Sequence, residues 1–164
     1  MTTISNPRIE AIRQHVSSSY QELLQLVNGP LTALEPARFY QPPAPGEWTL
    51  MENLAHVIEI MPYWADEIAG LVAAPGQKFG RTMEHEGRLR AIKEHRTDNL
   101  EQVKSALPGS YEHLDQVLRS LKDSDLELTG HHSKFGERNL DWFIDEFVVR
   151  HLAAHVSQVK QPHG

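Results

Sequence analysis

The feature that most restricts the fold of this sequence is the spacing of its apolar residues, which recur every three or four positions in several separate segments. The clearest of these segments contains Leu50, Leu54, Val57, Met61, Trp64, Ile68 and Leu71. The chain has no alternating run of β-branched residues and no repeat of solenoid length, so this spacing favours helices that pack on helices. We therefore predict an all-α fold, an up-and-down four-helix bundle.

Capping residues and prolines predict the bounds of the first helix. It is predicted over residues 7–27, with Asn6 as its N-cap and Pro7 in its first turn. Residues 29–47 then hold five of the ten prolines, a density that disfavours regular structure. We predict that they form an ordered loop that crosses the bundle.

The second helix is predicted over residues 50–73, and its start is well marked. Thr49 and Glu52 have the spacing of a capping box, in which each side chain accepts a hydrogen bond from the backbone of the other residue. Pro62 lies inside this helix and lacks the N–H that would bond to the preceding turn. A kink is therefore expected at Pro62.

The second half of the chain is less regular in its pattern. A more polar helix is predicted over residues 86–106, and the same spacing resumes over 111–121 after Pro108. The third helix of the bundle is therefore either split in two at Pro108 or bent there, and the sequence leaves both open. Residues 123–139 are predicted to be a loop, and residues 140–160 the last helix.

Composition limits what kind of protein this is. The length of 164 residues fits one domain, predicted over residues 1–164. The formal charge of -6 opposes contact with a phosphate backbone, so no nucleic-acid partner is expected. The absence of cysteine excludes disulfides, cysteine-based zinc sites and thiol nucleophiles. No apolar run approaches the roughly 20 residues of a membrane span, and no signal peptide is evident. We expect a soluble cytoplasmic protein without a membrane partner.

Two of the ten histidines form a pair near the end of the chain. His151 and His155 are four residues apart, which places both imidazoles on one face of a helix. About 0.6 such pairs are expected by chance in this composition, so position matters more than spacing. Both rings fall on the apolar face that contains Leu140, Ile144 and Val148, where a shared metal ion would satisfy them. The alternative is two core histidines that each bond to a carbonyl or carboxylate of a neighbouring helix.

His56 is the candidate third ligand. It lies at the edge of the apolar face of the second helix, the other strongly apolar helix of the chain. Three neutral imidazoles from two facing helices leave coordination positions open, as in catalytic rather than closed structural sites. The alternative for His56 taken alone is a partly exposed residue without a role.

Several short motifs occur together in a recognisable order. They are Trp48-Thr49, Asn53-Leu54-Ala55-His56, a glycine-bearing loop over 130–136, and His151-x-x-x-His155-x-x-Gln158. In this order they resemble the DinB/YfiT-like family of metal-dependent four-helix-bundle proteins, and the resemblance covers roughly residues 9–160. It implies that His56, His151 and His155 bind a divalent cation, usually nickel or zinc. It also implies a homodimer, and relatives that are S-transferases or isomerases dependent on low-molecular-weight thiols.

A bound divalent metal can activate a water molecule or a substrate thiol at neutral pH. Because the chain has no cysteine, any thiol must be a separate cosubstrate. We therefore expect a metal-dependent enzyme, a thiol-dependent S-transferase or a hydrolase that acts on a small electrophile. One alternative is a non-catalytic metal-binding or stress-response bundle. Another is an acidic helical interaction module with fortuitous histidines.

Further residues are candidates for supporting roles. Glu59, one turn after His56, can orient that ring or act as a base, or it is a solvated carboxylate on the helix surface. Gln158 can reach the site or is an amide of the helix packing. His131 and His132 either line the mouth of the pocket or are exposed loop residues. Trp48 either forms a pocket wall or packs against the start of the second helix.

Overall fold

The computed structural model describes residues 5–81 and 85–160, and helices dominate this part of the chain. The helices are α1 (Pro7–Asn28), α2 (Leu50–Ala73), α3 (Glu86–His95), α4 (Leu100–Ser120) and α5, which combines α-helical Leu140–Ile144, π-helical Asp145–Val149 and α-helical Arg150–Lys160. Helices α1, α2, α4 and α5 form the bundle, and α3 packs on α2. The predicted all-α four-helix bundle is confirmed.

The bundle is arranged so that consecutive helices are not always neighbours. Both α1 and α2 pack against α4 and against α5, so α1 and α2 lie diagonally opposite each other. The connection between them crosses the bundle, as expected, and contains two short 3-10 helices, Pro30–Ala33 and Pro36–Phe39. This order brings α2 and α5, which carry the candidate ligands, side by side.

The start of α1 is capped from a distant part of the chain. Asn6 precedes the helix as predicted, but its side chain does not cap it and instead accepts a hydrogen bond from the Asp123 backbone N–H at 2.9 Å. The Asp123 carboxylate accepts the backbone N–H groups of Arg8 at 3.1 Å and Ile9 at 3.0 Å. Asn6 therefore occupies the predicted N-cap position, but the side chain that caps the helix is that of Asp123, more than 100 positions away in the sequence.

Helix α2 begins as the sequence predicts. Thr49 Oγ1 accepts the Glu52 N–H at 3.0 Å, and Glu52 Oε1 accepts the Thr49 N–H at 3.0 Å. The helix continues past Pro62 to Ala73, and the kink expected at Pro62 stays a prediction. No helix in the two described ranges is long and apolar enough to cross a membrane.

The third helix is split, but not at Pro108. Helix α3 ends at His95, and α4 begins after a new capping box in which Asn99 and Gln102 bond reciprocally at 2.8 and 2.9 Å. Helix α4 runs through Pro108 without a break. Helix α4 packs against α2, and its buried residues lie on both sides of the proline, although the proline removes one helical hydrogen bond. These buried apolar residues are Val103, Leu107, Leu114 and Leu118.

The predicted loop over 123–139 contains regular structure. A 3-10 helix, Asp123–Glu127, precedes an antiparallel hairpin of β1 (Thr129–His132) and β2 (Gly136–Asn139). The other edge of β1 pairs with the segment after α2, where the His131 N–H donates to the Gln77 carbonyl at 2.9 Å. Strand β1 thus has backbone hydrogen bonds on both of its edges. Its sequence has no alternation of apolar residues, so periodicity did not predict it.

We expect Asp123→Ala to lower the free energy of unfolding by about 1–2 kcal/mol, because two N–H groups at the start of α1 lose their acceptor. Urea denaturation measures this change. Glu94→Ala removes an exposed carboxylate from α3 and serves as the control, with a change within about 0.5 kcal/mol. Equal changes in the free energy of unfolding for the two substitutions would contradict the capping of α1 by Asp123.

Candidate metal centre

Three imidazoles from two helices meet between α2 and α5. One ligand nitrogen from each of His56, His151 and His155 can be chosen so that all three lie within 4.8 Å of one another. The Nε2 atoms of His151 and His155 are 2.8 Å apart, and the His56 ring centroid lies 4.5 Å from that of His155. The structure therefore brings the predicted ligands together, and their role as metal ligands stays a prediction.

The last helix changes its winding just before this pair. The π-helical segment Asp145–Val149 ends two residues before His151, and regular α-helix resumes at Arg150. A π-helical turn accommodates one extra residue, so the side chains after it are rotated about the helix axis relative to those before it. His151 and His155 both lie after this turn, so the four-residue spacing still places them together. Such turns often occur at functional sites, and apolar spacing alone did not reveal this one.

Burial keeps the three rings neutral. It lowers the pKa of His151 to about 4 and that of His155 to about 3, and the nearby His56 acts in the same direction because two protonated rings would repel each other. The pKa of His56 is lowered as well, chiefly by burial. A neutral imidazole has a lone pair on one nitrogen, which is the form that binds a metal.

Several buried nitrogens of the cluster have no hydrogen-bond partner in the described part of the chain. They are both ring nitrogens of His56 and Nδ1 of His151. An unsatisfied buried polar group costs about 1–3 kcal/mol, so an ion that binds one nitrogen of each ring would be stabilising. Three imidazoles suit nickel, zinc, copper or iron. The residues present therefore fit a bound divalent transition metal.

Gln158 helps to define which nitrogen of His155 is available. Its Oε1 lies 3.1 Å from Nδ1 of His155, so Nδ1 carries the proton and donates it to the amide oxygen. Nε2 of His155 then has the lone pair and faces the other rings. The sequence left two interpretations of Gln158, a residue that reaches the site and an amide of the helix packing. The structure favours the first.

Glu59 lies beside His56 and is held by an arginine. Its Oε2 is 3.6 Å from Nδ1 of His56, and its Oε1 forms an ion pair with Arg81. Burial raises the pKa of Glu59, but His56 and Arg81 lower it more, so the pKa lies below its ordinary value. Glu59 is thus an ionised, largely buried carboxylate aimed at His56, rather than a solvated one.

Arg81 was not predicted from the sequence. Its side chain is 7% exposed, and its guanidinium lies 3.8 Å above the ring of Tyr63. The segment before it is fixed to α2, since the Gly80 N–H donates to Glu67 at 2.8 Å. Arg81 follows α2 in a connection without a recognisable motif, so only the folded chain brings it to Glu59.

Trp48 forms one side of the cluster. Its ring lies 5.1 Å from that of His56 and 6.5 Å from that of His155, measured between centroids. The guanidinium of Arg88, from α3, lies 4.9 Å above the Trp48 ring. Trp48 therefore lies against the candidate ligands, and this position agrees with the prediction that it forms a pocket wall.

The two loop histidines have different surroundings. His131 is exposed, and its backbone belongs to β1. His132 is 3% exposed, its Nδ1 accepts the N–H groups of Lys134 and Phe135, and its ring stacks on Phe147 at 5.0 Å. Both predictions for His132, a position at the mouth of the pocket and an exposed position in a loop, are wrong, because the hairpin places its ring in an aromatic cluster.

Comparison with known proteins gives a family and a fold. The model of the DinB superfamily matches residues 15–159. YfiT from Bacillus subtilis, described as a probable metal-dependent hydrolase with an unusual four-helix bundle topology, matches with a TM-score of 0.72 and 14% identity. That match covers 97% of this chain and 89% of YfiT. No curated protein matches the sequence significantly.

A second fold relative is longer than this chain. The mycothiol-dependent maleylpyruvate isomerase matches with a TM-score of 0.66 and 15% identity. The match covers 94% of this chain but 60% of the isomerase chain. At these identities, both structures show a shared fold.

We expect the metal-free protein to lose stability as the pH falls below about 6.5. The unfolded chain then protonates its histidines, whereas the folded state resists protonation down to about pH 4 at His151 and about pH 3 at His155. Each of these histidines contributes up to about 1.4 kcal/mol per pH unit. Urea denaturation between about pH 5 and 7, after treatment with a chelator, measures this slope.

His155→Leu should make that slope less steep, because it removes one of the buried titrating groups. His15→Leu, which changes an exposed histidine of α1, is the control. The same slope in the His155→Leu variant as in the unmodified protein would mean that His155 is not held neutral by burial.

Proposed function

Because this chain belongs to the DinB superfamily, we propose that it is a divalent-metal-dependent enzyme whose metal is held by His56, His151 and His155. The observation that carries the proposal is the convergence of three neutral imidazoles with unsatisfied buried nitrogens. A structural site would be closed by a fourth protein ligand, whereas three imidazoles leave positions for water or substrate. We propose nickel or zinc as the metal.

The proposed chemistry is thiol-dependent S-transfer or hydrolysis on a small electrophile. A bound divalent metal supplies a Lewis acid that makes a thiol or a water molecule a strong nucleophile at neutral pH. The description of YfiT as a probable metal-dependent hydrolase and the mycothiol dependence of the isomerase support these two reaction classes. In the transfer, the thiol sulfur bonds to the electrophilic carbon, the leaving group departs with its electron pair, and the thiol proton passes to solvent.

The residues around the cluster have supporting roles in this proposal. Glu59 orients His56 rather than acting as a free base, because Arg81 occupies one of its oxygens and His56 faces the other. Gln158 fixes the tautomer of His155. Trp48 limits access of water to one side of the cluster. The homodimer and the cytoplasmic location stay predictions.

We expect protein purified without a tag or chelator to contain about one equivalent of nickel or zinc per chain. His56→Ala and His155→Ala should each lose most of it, because two imidazoles hold a divalent ion far less tightly than three. Elemental analysis measures the content. His113→Ala, which alters an exposed histidine paired with Asp66, is the control and should retain the metal. Failure to bind added Ni²⁺ or Zn²⁺ would refute the site.

The metal-loaded protein should accelerate either conjugation of 2-mercaptoethanol to monochlorobimane or hydrolysis of p-nitrophenyl acetate. The chelator-treated protein and His155→Ala should show only the uncatalysed rate. Fluorescence follows the first reaction and absorbance the second. Full metal occupancy without acceleration of either reaction would favour the non-catalytic metal-binding bundle instead.

A further inference from the structure

Two buried polar atoms face each other at the edge of the histidine cluster, and neither has a hydrogen-bond partner among the described residues. They are Nδ1 of His56 and Oε2 of Glu59, which lie 3.6 Å apart, slightly beyond hydrogen-bond distance. The other oxygen of this carboxylate forms an ion pair with Arg81. A proton on Nδ1 of His56 would point at the free oxygen, which leaves Nε2 of the same ring for a metal.

Arg81 is closely confined beside this carboxylate. Its side chain is 7% exposed, and its guanidinium lies 3.8 Å above the ring of Tyr63, one turn after Glu59 on α2. The guanidinium therefore contacts two side chains of the helix that carries His56. Because an unpaired buried carboxylate is costly, this arrangement keeps Glu59 charged and in its place next to the ring.

The segment that carries Arg81 is fixed to two other elements. The Phe79 N–H donates to the His131 carbonyl of β1 at 2.9 Å, and the Gly80 N–H donates to the Glu67 carboxylate of α2 at 2.8 Å. The Phe79 side chain is 1% exposed. The backbone directly before Arg81 is thus held by both the hairpin and α2, so the guanidinium is presented to Glu59 from a rigid support.

We propose that Arg81 is a positioning residue of the candidate metal centre, which holds the Glu59 carboxylate against Nδ1 of His56 and thereby strengthens metal binding by that ring. This inference rests on the proposed function, in which the three histidines hold a metal. A carboxylate beside the second nitrogen of a ligating histidine fixes the orientation of the ring and raises its basicity. Loss of such a partner commonly weakens metal binding by about 10–100-fold.

The sign of the effect separates this role from a simple effect of charge. A guanidinium close to a divalent cation repels it, so by charge alone the loss of Arg81 would tighten metal binding. If Arg81 acts through Glu59, its loss weakens binding instead, because the carboxylate loses the cation that keeps it beside His56. Once Glu59 is replaced by a neutral residue, the loss of Arg81 can no longer weaken binding by this route.

The test is a double-mutant cycle read from the dissociation constant of Co²⁺, measured by competition with a chelator of known affinity. We expect Arg81→Met and Glu59→Gln each to raise this constant about 10–100-fold. The variant with both substitutions should bind Co²⁺ as tightly as Glu59→Gln alone, to within about threefold. Arg81→Lys should recover part of the affinity, because an ammonium group still pairs with the carboxylate but lacks the planar fork.

Arg13→Met is the matched control. It breaks a partly buried pair of arginine and carboxylate, with Asp115, between α1 and α4, so it reports the effect of lower stability alone. It should keep the full affinity for Co²⁺. If Arg81→Met does not fold because Glu59 is left unpaired, the double variant decides by comparison with Glu59→Gln, since both charges are then removed.

Unchanged or tighter binding of Co²⁺ by Arg81→Met would overturn the positioning role while leaving the metal site intact. So would a further loss of affinity when Arg81→Met is added to Glu59→Gln, because Arg81 would then act by another route. A loss of affinity in Arg13→Met as large as that in Arg81→Met would also overturn it. Failure of the unmodified protein to bind Co²⁺ would overturn the proposed function and this inference together.

Discussion

The structure around the candidate centre depends on the burial of three imidazoles between α2 and α5. His56 is 1% exposed and His155 9%, beside the apolar core and the polar side chains of Glu59 and Gln158. Burial makes the neutral forms the stable ones, and it leaves nitrogens of His56 and His151 without a partner. The local fold thus carries a cost that a bound ligand would offset. Proteins tend to retain such costs where binding or catalysis requires them.

The rest of the site forms in layers around these rings. Glu59 and Gln158 each lie one turn from a histidine on the same helix, so helix geometry alone brings them near. Arg81 and Arg88 come from the connection after α2 and from α3, and their positions depend on tertiary contacts. The first pair lies beside the imidazoles, and the second pair places two positive charges near them from other elements. These two charges therefore come from elements outside the four-helix bundle.

Several features of the fold could be predicted because their causes are local. The capping box of Thr49 and Glu52 involves residues three positions apart, and the bounds of α1 and α2 follow from proline, glycine and apolar spacing. Other features could not be predicted, because their causes are distant in sequence. The cap on α1 comes from Asp123, and β1 is stabilised by backbone bonds to the segment near Gln77. The sequence left open whether the third helix is split or bent at Pro108, whereas the break lies before the capping box at Asn99 and α4 continues through Pro108.

The sequence by itself determined the fold class and the identity of the three candidate ligands. Helical periodicity and the four-residue spacing of His151 and His155 are properties of a single helix, and they persist in any packing of that helix. Only the tertiary structure decided that His56 meets this pair, that Arg81 neutralises Glu59, and that Arg88 lies over Trp48. It also placed His132 in the aromatic cluster rather than at the site. These contacts join residues far apart in the chain, and their geometry is set by how helices and the hairpin pack.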